Sequence, residues 1–180
     1  MAKREALRDL QVRLAKRLQT AQSEGMSVDW LAVRAGGRNY LLPLGQSGEV
    51  VALGPVQPVP YTKPWFKGVL NVRGSLLGVV DLAGFVAASA ALPAAASAAG
   101  SQVFVVTLNA ALEVNCALLV DSLAGLRAAD AFTPAPAVAD AAQAPPAFFG
   151  KRLVDAQGSA WQEINVRALA QSAAFLSIGS

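Results

Sequence analysis

Histidine is absent from all 180 residues. The chain therefore lacks the usual general base at neutral pH, and it has no histidine to accept a phosphoryl group, so it is not itself a phosphorylated histidine kinase. Cysteine occurs once, at Cys116, which leaves no internal disulfide; without histidine no Cys/His zinc set can be assembled. A reducing compartment and no metal are expected. The phosphate-cradling pattern G-x-x-x-x-G-K-[ST], the dinucleotide pattern G-x-G-x-x-G, the nucleophile elbow G-x-S-x-G and any C-x-x-C pair are missing as well. Together these gaps predict no cofactor, no catalytic residue and no enzymatic activity.

An excess of either charge is missing from most of the chain. Residues 1–24 hold six basic groups (Lys3, Arg4, Arg8, Arg13, Lys16, Arg17) against three acidic ones (Glu5, Asp9, Glu24). The chain has 15 basic and 12 acidic side chains, so nine of each remain beyond residue 24 and the net +3 sits in the first segment. A balanced body offers no broad phosphate-binding face, and nucleic acid is not expected as a partner. Charges also interrupt any apolar run that a secretory leader would need near the N-terminus, which makes cytoplasmic the expected location. One uncharged stretch, residues 82–112, is long enough to span a bilayer. Its middle is Ala and Ser with Pro93 inside, and Gln102 and Asn109 follow, so no membrane insertion is expected. A strand end, a low-complexity loop and another strand account for it.

What is present falls into a leading helix and a β-rich body. Leu7, Leu10, Leu14 and Leu18 recur at helical spacing before Gly25. Residues 1–24 read as an amphipathic helix that either packs on the body or docks a partner or membrane surface. Beyond it, residues 29–35 and 38–44 flank Gly36-Gly37 as a hairpin, and 49–52 is a further strand. Pro55, Pro58, Pro60 and Pro64 then mark a connection that cannot be a central strand. Residues 69–72 and 76–82 pair around Arg73-Gly74-Ser75, and residues 102–108 and 112–121 around Asn109-Ala110-Ala111. Residues 134–146 read as a connection.

The final section revisits the first half. Phe66-Lys67-Gly68, Gly74-Ser75, Asp81-Leu82 and Phe85 are echoed by Phe148-Phe149-Gly150, Gly158-Ser159, Asn165-Val166 and Leu169, at offsets of 82 to 84 residues. Two related halves are implied. Each has about five short strands, enough for a small closed barrel, so the fold class is mostly β with two small barrels side by side over residues 28–180.

Several side chains could be given chemical roles, and each has a plainer reading. Asp81 and Asp121 could form an acid/base pair, but both end apolar runs, where Asp bonds turn backbone. Cys116 lies in an apolar run with no basic neighbour and reads as a buried, inert thiol. Trp30, Trp65 and Trp161 read as core or inter-barrel packing, with Trp65 beside Pro64 a candidate for a surface seam.

Packing does not account for Trp65-Phe66-Lys67-Gly68-Val69-Leu70-Asn71-Val72-Arg73-Gly74. This pattern, aromatic-x-x-G-V-x-N-x-R-G followed by a strand ending Val80-Asp81-Leu82, resembles the signature of CheW-like chemotaxis coupling proteins. Leu41-Leu42-Pro43-Leu44 with Gly48-Glu49-Val50, and Leu118-Leu119-Val120-Asp121, fit the same pattern. The resemblance runs from about Trp30 to Ala170, and it is specific over residues 65–82 and loose elsewhere. Gly45-Gln46-Ser47-Gly48-Glu49-Val50, Asp81-Leu82-Ala83-Gly84-Phe85 and Ala168-Leu169-Ala170-Gln171 with Phe175-Leu176 are similar to its twitching-motility branch, PilI.

The resemblance implies two SH3-like five-stranded barrels, in agreement with the duplication. It also implies an adaptor that couples the cytoplasmic tip of a chemoreceptor to the regulatory domain of a CheA-type histidine kinase in membrane-associated arrays, and for this branch control of type IV pili. An adaptor of flagellar chemotaxis or another chemosensory system is the alternative, and a nucleic-acid-binding barrel the alternative of another class. The partner-binding residues implied are Glu49, Val50, Lys67, Val69, Asn71 and Arg73. Arg73 is a fork of donors in a turn, able to hold a carboxylate in bidentate geometry, and Glu49 is its expected partner. Gly68 and Gly74 are expected to permit tight turns where a side chain would clash. Two departures stand out: residues 87–99 are unusually Ala-rich, and residues 154–163 match a regular strand pair poorly, so distortion of the second barrel is expected.

Overall fold

Alternation of side chains along the strands organises the body. In a computed structural model, the structure describes residue 13 and residues 28–93, 102–136 and 144–180. The helix expected over residues 1–24 lies outside the described residues, Arg13 apart, as do residues 94–99 at the end of the Ala-rich stretch and most of the later Pro/Ala connection.

The chain is mostly β, in two sheets with few helices. In order it runs β1 (Trp30–Ala35), β2 (Arg38–Pro43), β3 (Ser47–Ala52), β4 (Phe66–Val72), β5 (Ser75–Asp81), α1 (Leu82–Ser89), β6 (Phe104–Leu108), β7 (Cys116–Val120), β8 (Ser122–Arg127), β9 (Phe132–Pro134), β10 (Phe149–Asp155), β11 (Ala160–Ile164), α2 (Val166–Gln171) and α3 (Ala173–Leu176). The five-stranded sheet has the order β3-β6-β7-β5-β4, and the six-stranded sheet β8-β1-β2-β11-β10-β9. Set side by side, the two orders match strand for strand, with β9 the extra member.

The expected duplication takes the form of an exchange. The β1–β2 hairpin of the first half joins β8, β10 and β11 of the second, while the β6–β7 hairpin joins β3, β4 and β5. Two parallel pairings, β5 with β7 and β11 with β2, lock the exchanged hairpins in place. The repeated Asp81 and Asn165 do equivalent work. Each accepts from the backbone N–H three residues on, Gly84 at 3.2 Å and Ala168 at 3.0 Å, and so caps α1 and α2.

Each sheet turns its two faces to different cores. Leu31, Val33, Val80, Val106 and Leu118 point into the shared core between the sheets, with Phe85 of α1 and Phe175 of α3. Their alternate neighbours Val79, Val105 and Ala117 join Leu70 in a small core of the five-stranded sheet, and Trp30, Ala32, Leu41 and Trp161 form that of the other. All three tryptophans are buried; Trp65 meets Phe85 edge-on and stacks on Phe175, so it belongs to the shared core and not to a surface seam.

Neither ladder closes strand on strand as a regular five-stranded barrel. Instead the chain that follows the third strand of each half crosses to the opposite edge of that strand's sheet. After β3, Gln57 bridges Val69 of β4 through two backbone hydrogen bonds of 2.8 and 2.9 Å. After β8, a single turn of 3-10 helix leads into β9, which pairs with β10.

Three local expectations are corrected. Residues 82–89 form a helix where a strand end and loop were expected, because Asp81 serves as an N-cap. Residues 110–112 form a 3-10 turn, so β7 begins only at Cys116. Residues 154–163 do take part in a strand pair, and their sheet carries register shifts between Phe149 and Arg152 and between Ala32 and Val33. The strands β8 and β9, in a stretch of mixed polarity, carry no sequence signal strong enough to predict them. Among the described residues no helix is long and apolar enough to cross a membrane.

Candidate docking site

The bridge between Gln57 and Val69 brings the edges of the five-stranded sheet together, and an open hollow of about 400 Å³ lies there. Val51, Ala52, Gly54 and Pro55 line one side, and Leu70, Asn71, Val72 and Arg73 the other. At its rim Arg73 Nη1 donates to Glu49 Oε1 at 3.0 Å. The predicted pair is therefore formed, though through one contact and not a bidentate fork.

The pair is exposed, with side-chain accessibilities of 75% for Arg73 and 50% for Glu49. Such a pair is worth about 0–1 kcal/mol to stability in water. The backbone beneath it is costly by comparison. Arg73 has φ of +51°, a conformation that costs a non-glycine residue about 1–3 kcal/mol. The strain is held by the turn: Asn71 Oδ1 accepts from Gly74 N at 2.9 Å. The turn is thus strained, braced by one side-chain hydrogen bond, and presents an exposed guanidinium that contributes little to the isolated fold.

The remaining predicted residues do not all gather at this rim. Val50 is half-buried and packs against the shared core. Val69 is half-buried, and its backbone makes both bonds of the bridge to Gln57. Lys67 sits at the far end of β4, where it donates to Pro64 O at 3.1 Å and lies 3.5 Å from Asp81. Six residues of strand span about 20 Å, so Lys67 and Arg73 belong to different patches. Sequence reasoning missed Leu76, which lies across the hairpin from Asn71 with 61% of its surface exposed. Its apolar strand context pointed inward, and only the register shows that it faces out.

The two glycines are required for different reasons. Gly68 is not in a turn: it sits at a register shift in β4 with φ of +131°, and a Cβ there would run into the Gln57 carbonyl oxygen. Gly74 does lie in the turn with φ of +88°, but nothing is within 4 Å of an added Cβ, so conformation and not clash requires it.

Both aspartates bond turn or cap backbone, as their places at the ends of apolar runs suggest. Asp81 caps α1, while Asp121 Oδ2 accepts from Gly36 N at 2.7 Å and holds the β1–β2 turn. Cys116 is buried and its thiol is pushed up to about 12, chiefly by desolvation. Among the described residues no group of three or more His, Cys, Asp or Glu could hold a metal ion.

Comparison with known proteins follows the same lines. The family model for the CheW-like domain matches residues 29–174. Protein PilI of Pseudomonas aeruginosa is 42% identical over 73 residues. That stretch is 41% of this chain and 41% of that protein, so well under half of the relative is matched. The crystal structure of scaffolding protein TtCheW from Thermoanaerobacter tengcongensis is similar with a TM-score of 0.55, covering 77% of this chain and 89% of that one. At 18% identity the likeness is one of fold.

Proposed function

This chain belongs to the CheW-like domain family, and from that premise we propose that it is an adaptor coupling the cytoplasmic tip of a chemoreceptor to the regulatory domain of a CheA-type histidine kinase. Its likeness to PilI supports a place in a chemosensory array that governs type IV pilus twitching motility. It works in the cytoplasm, is recruited to membrane-associated arrays, and binds without turnover. Residues 28–180 act as one domain of two interlocked halves, and residues 1–24 as a separate leading element.

The observation that carries this reading is the braced Arg73 turn and its exposed partner Glu49. A pair so solvated adds almost nothing to folding, so a partner carboxylate competing for the guanidinium gains what the fold does not need. Val50, Val69 and Asn71 complete the proposed contact set near this rim, and Lys67 is proposed as a contact in the separate patch at the other end of β4. A stable contact of ordinary size involves about 20–30 residues a side, of which a few dominate.

Co-purification with the full-length CheA-type kinase encoded in the same genome tests the proposal. Arg73→Ala is expected to lose at least about 1–3 kcal/mol of binding, as truncating one charged hydrogen-bonding group does, while the melting temperature stays unchanged. A variant that melts earlier and binds normally once folded would place Arg73 in the fold instead. Retention of neither kinase nor receptor by the wild-type chain would remove the adaptor reading altogether.

A further inference from the structure

We infer that Thr107, on a strand from the second half of the chain, is the positioning residue that aims Glu49 at Arg73. This rests on the docking role proposed for that pair and adds a residue of the opposite half to it.

The geometry begins with a bulge. β3 runs antiparallel to β6, with Ser47 opposite Leu108 and Val50 opposite Val106, so Gly48 and Glu49 together face the single residue Thr107. A bulge takes a backbone amide off the ladder, and that amide must find another acceptor. The Glu49 N–H donates to Thr107 Oγ1 at 2.7 Å, across 58 residues of sequence. Gly48 makes room for the hydroxyl. A Cβ at that position would run into Thr107 Oγ1 and would lie 3.1 Å from Leu108 O.

The hydroxyl therefore fixes the residue from which the carboxylate projects. Glu49 Oε1 reaches Arg73 Nη1 at 3.0 Å, and Arg73 is held from its own side by the bond between Asn71 and Gly74. An exposed ion pair normally loses most of its value to the entropy of holding two long side chains in one arrangement. Here both backbones are braced, one by Asn71 and one by Thr107, so the pair is pre-set before a partner arrives.

Binding of the full-length chain to the full-length CheA-type kinase of the same genome, followed by titration calorimetry, provides the test. Thr107→Val keeps the shape and removes the acceptor, and should weaken binding about three- to tenfold, as loss of one neutral hydrogen bond does. Thr107→Ser, which keeps the hydroxyl, should restore binding to within about twofold. Thr107→Val added to Arg73→Ala should cause no further loss, because both act through one pair. Wild-type affinity for Thr107→Val alongside weak binding by Arg73→Ala overturns the role of Thr107 and leaves the docking reading intact. Unaltered binding by Arg73→Ala overturns the docking reading, and Thr107 is then judged without a partner. Amide exchange at Glu49 should accelerate, and nuclear Overhauser contacts between Glu49 and Arg73 should vanish, in Thr107→Val at an unchanged melting temperature. Their persistence sinks the inference. Should Thr107→Val fail to fold, Gly48→Ala, whose added Cβ displaces the same hydroxyl, is read by the same criteria.

Discussion

Gly68→Ala should destabilise the chain far more than Gly74→Ala, although both glycines lie in the same signature and both have positive φ. At Gly68 two costs add. The conformation, φ of +131°, disfavours any L side chain by about 1–3 kcal/mol. The new Cβ would also meet backbone: the Gln57 carbonyl oxygen, with its carbon at 2.8 Å and Pro58 Cα at 3.0 Å. Backbone cannot rotate away, so the segment after β3 must lift off β4 and release the two bonds between Gln57 and Val69. At about 0.5–1.5 kcal/mol each, these bring the total to about 2–6 kcal/mol. At Gly74 a Cβ meets nothing within 4 Å, so only the conformational cost applies. Urea unfolding followed by fluorescence of the three buried tryptophans measures the difference. With a slope of about 1–3 kcal/mol per molar urea, Gly68→Ala should unfold about 1 M earlier than Gly74→Ala. Equal midpoints would refute the close approach of the Gln57 segment as the reason for this glycine.

Three further outcomes follow from the packing. The Cys116 thiol, raised to about 12 by burial, should not react with a disulfide reagent at about pH 8 in the native chain, and should react fully in denaturant; rapid native labelling would contradict its burial. The Asp155 carboxyl is held below its ordinary 3.8 by the Trp161 indole N–H, with help from the Ser159 and Gln157 amides. A depressed folded value means a stabilisation present above the unfolded pKa and lost as pH falls through the folded one. The melting temperature should therefore fall more steeply below about pH 4 in the wild type than in Asp155→Asn, and identical profiles would rule this out. Asp81→Ala and Asn165→Ala remove equivalent helix caps and should each cost about 1 kcal/mol in chemical denaturation, whereas a cost at one position only would show that the repeated caps are not equivalent.

The first hairpin was legible, and so was the pair at the rim. Trp30–Ala35 and Arg38–Pro43 are short apolar runs that flank two glycines, a hairpin signal although neither run alternates, because both faces of these strands are largely covered. The linkage of Arg73 to Glu49 followed from the resemblance, which puts an acidic residue at position 49, and from the opposite charges of the two side chains. Helix α1 was not legible, because Leu82–Ser89 is apolar on almost every face and shows no 3.6-residue contrast. Strand β8 was missed for the opposite reason: all six of its residues are half-buried, so no inward and outward sets separate. The role of Thr107 could not be read from spacing, because a bulge is defined by the partner strand and not by the strand that carries it.

The exchange of hairpins explains why so exposed a site can hold a defined shape. Glu49 lies on a first-half strand whose ladder partner, β6, comes from the second half, while Arg73 lies in a first-half turn between strands that pair with each other and, through β5, with second-half β7. The rim is thus built on a sheet that one half alone cannot assemble, since removing β6 and β7 leaves β3 without its strand partner and β5 without one of its two. Loops that carry binding residues are ordinarily among the least stable parts of a protein. Here the two residues at the rim are carried by a ladder that strands of both halves build together. That shared ladder is what holds an ion pair worth almost nothing to stability in one arrangement for the docking role we propose.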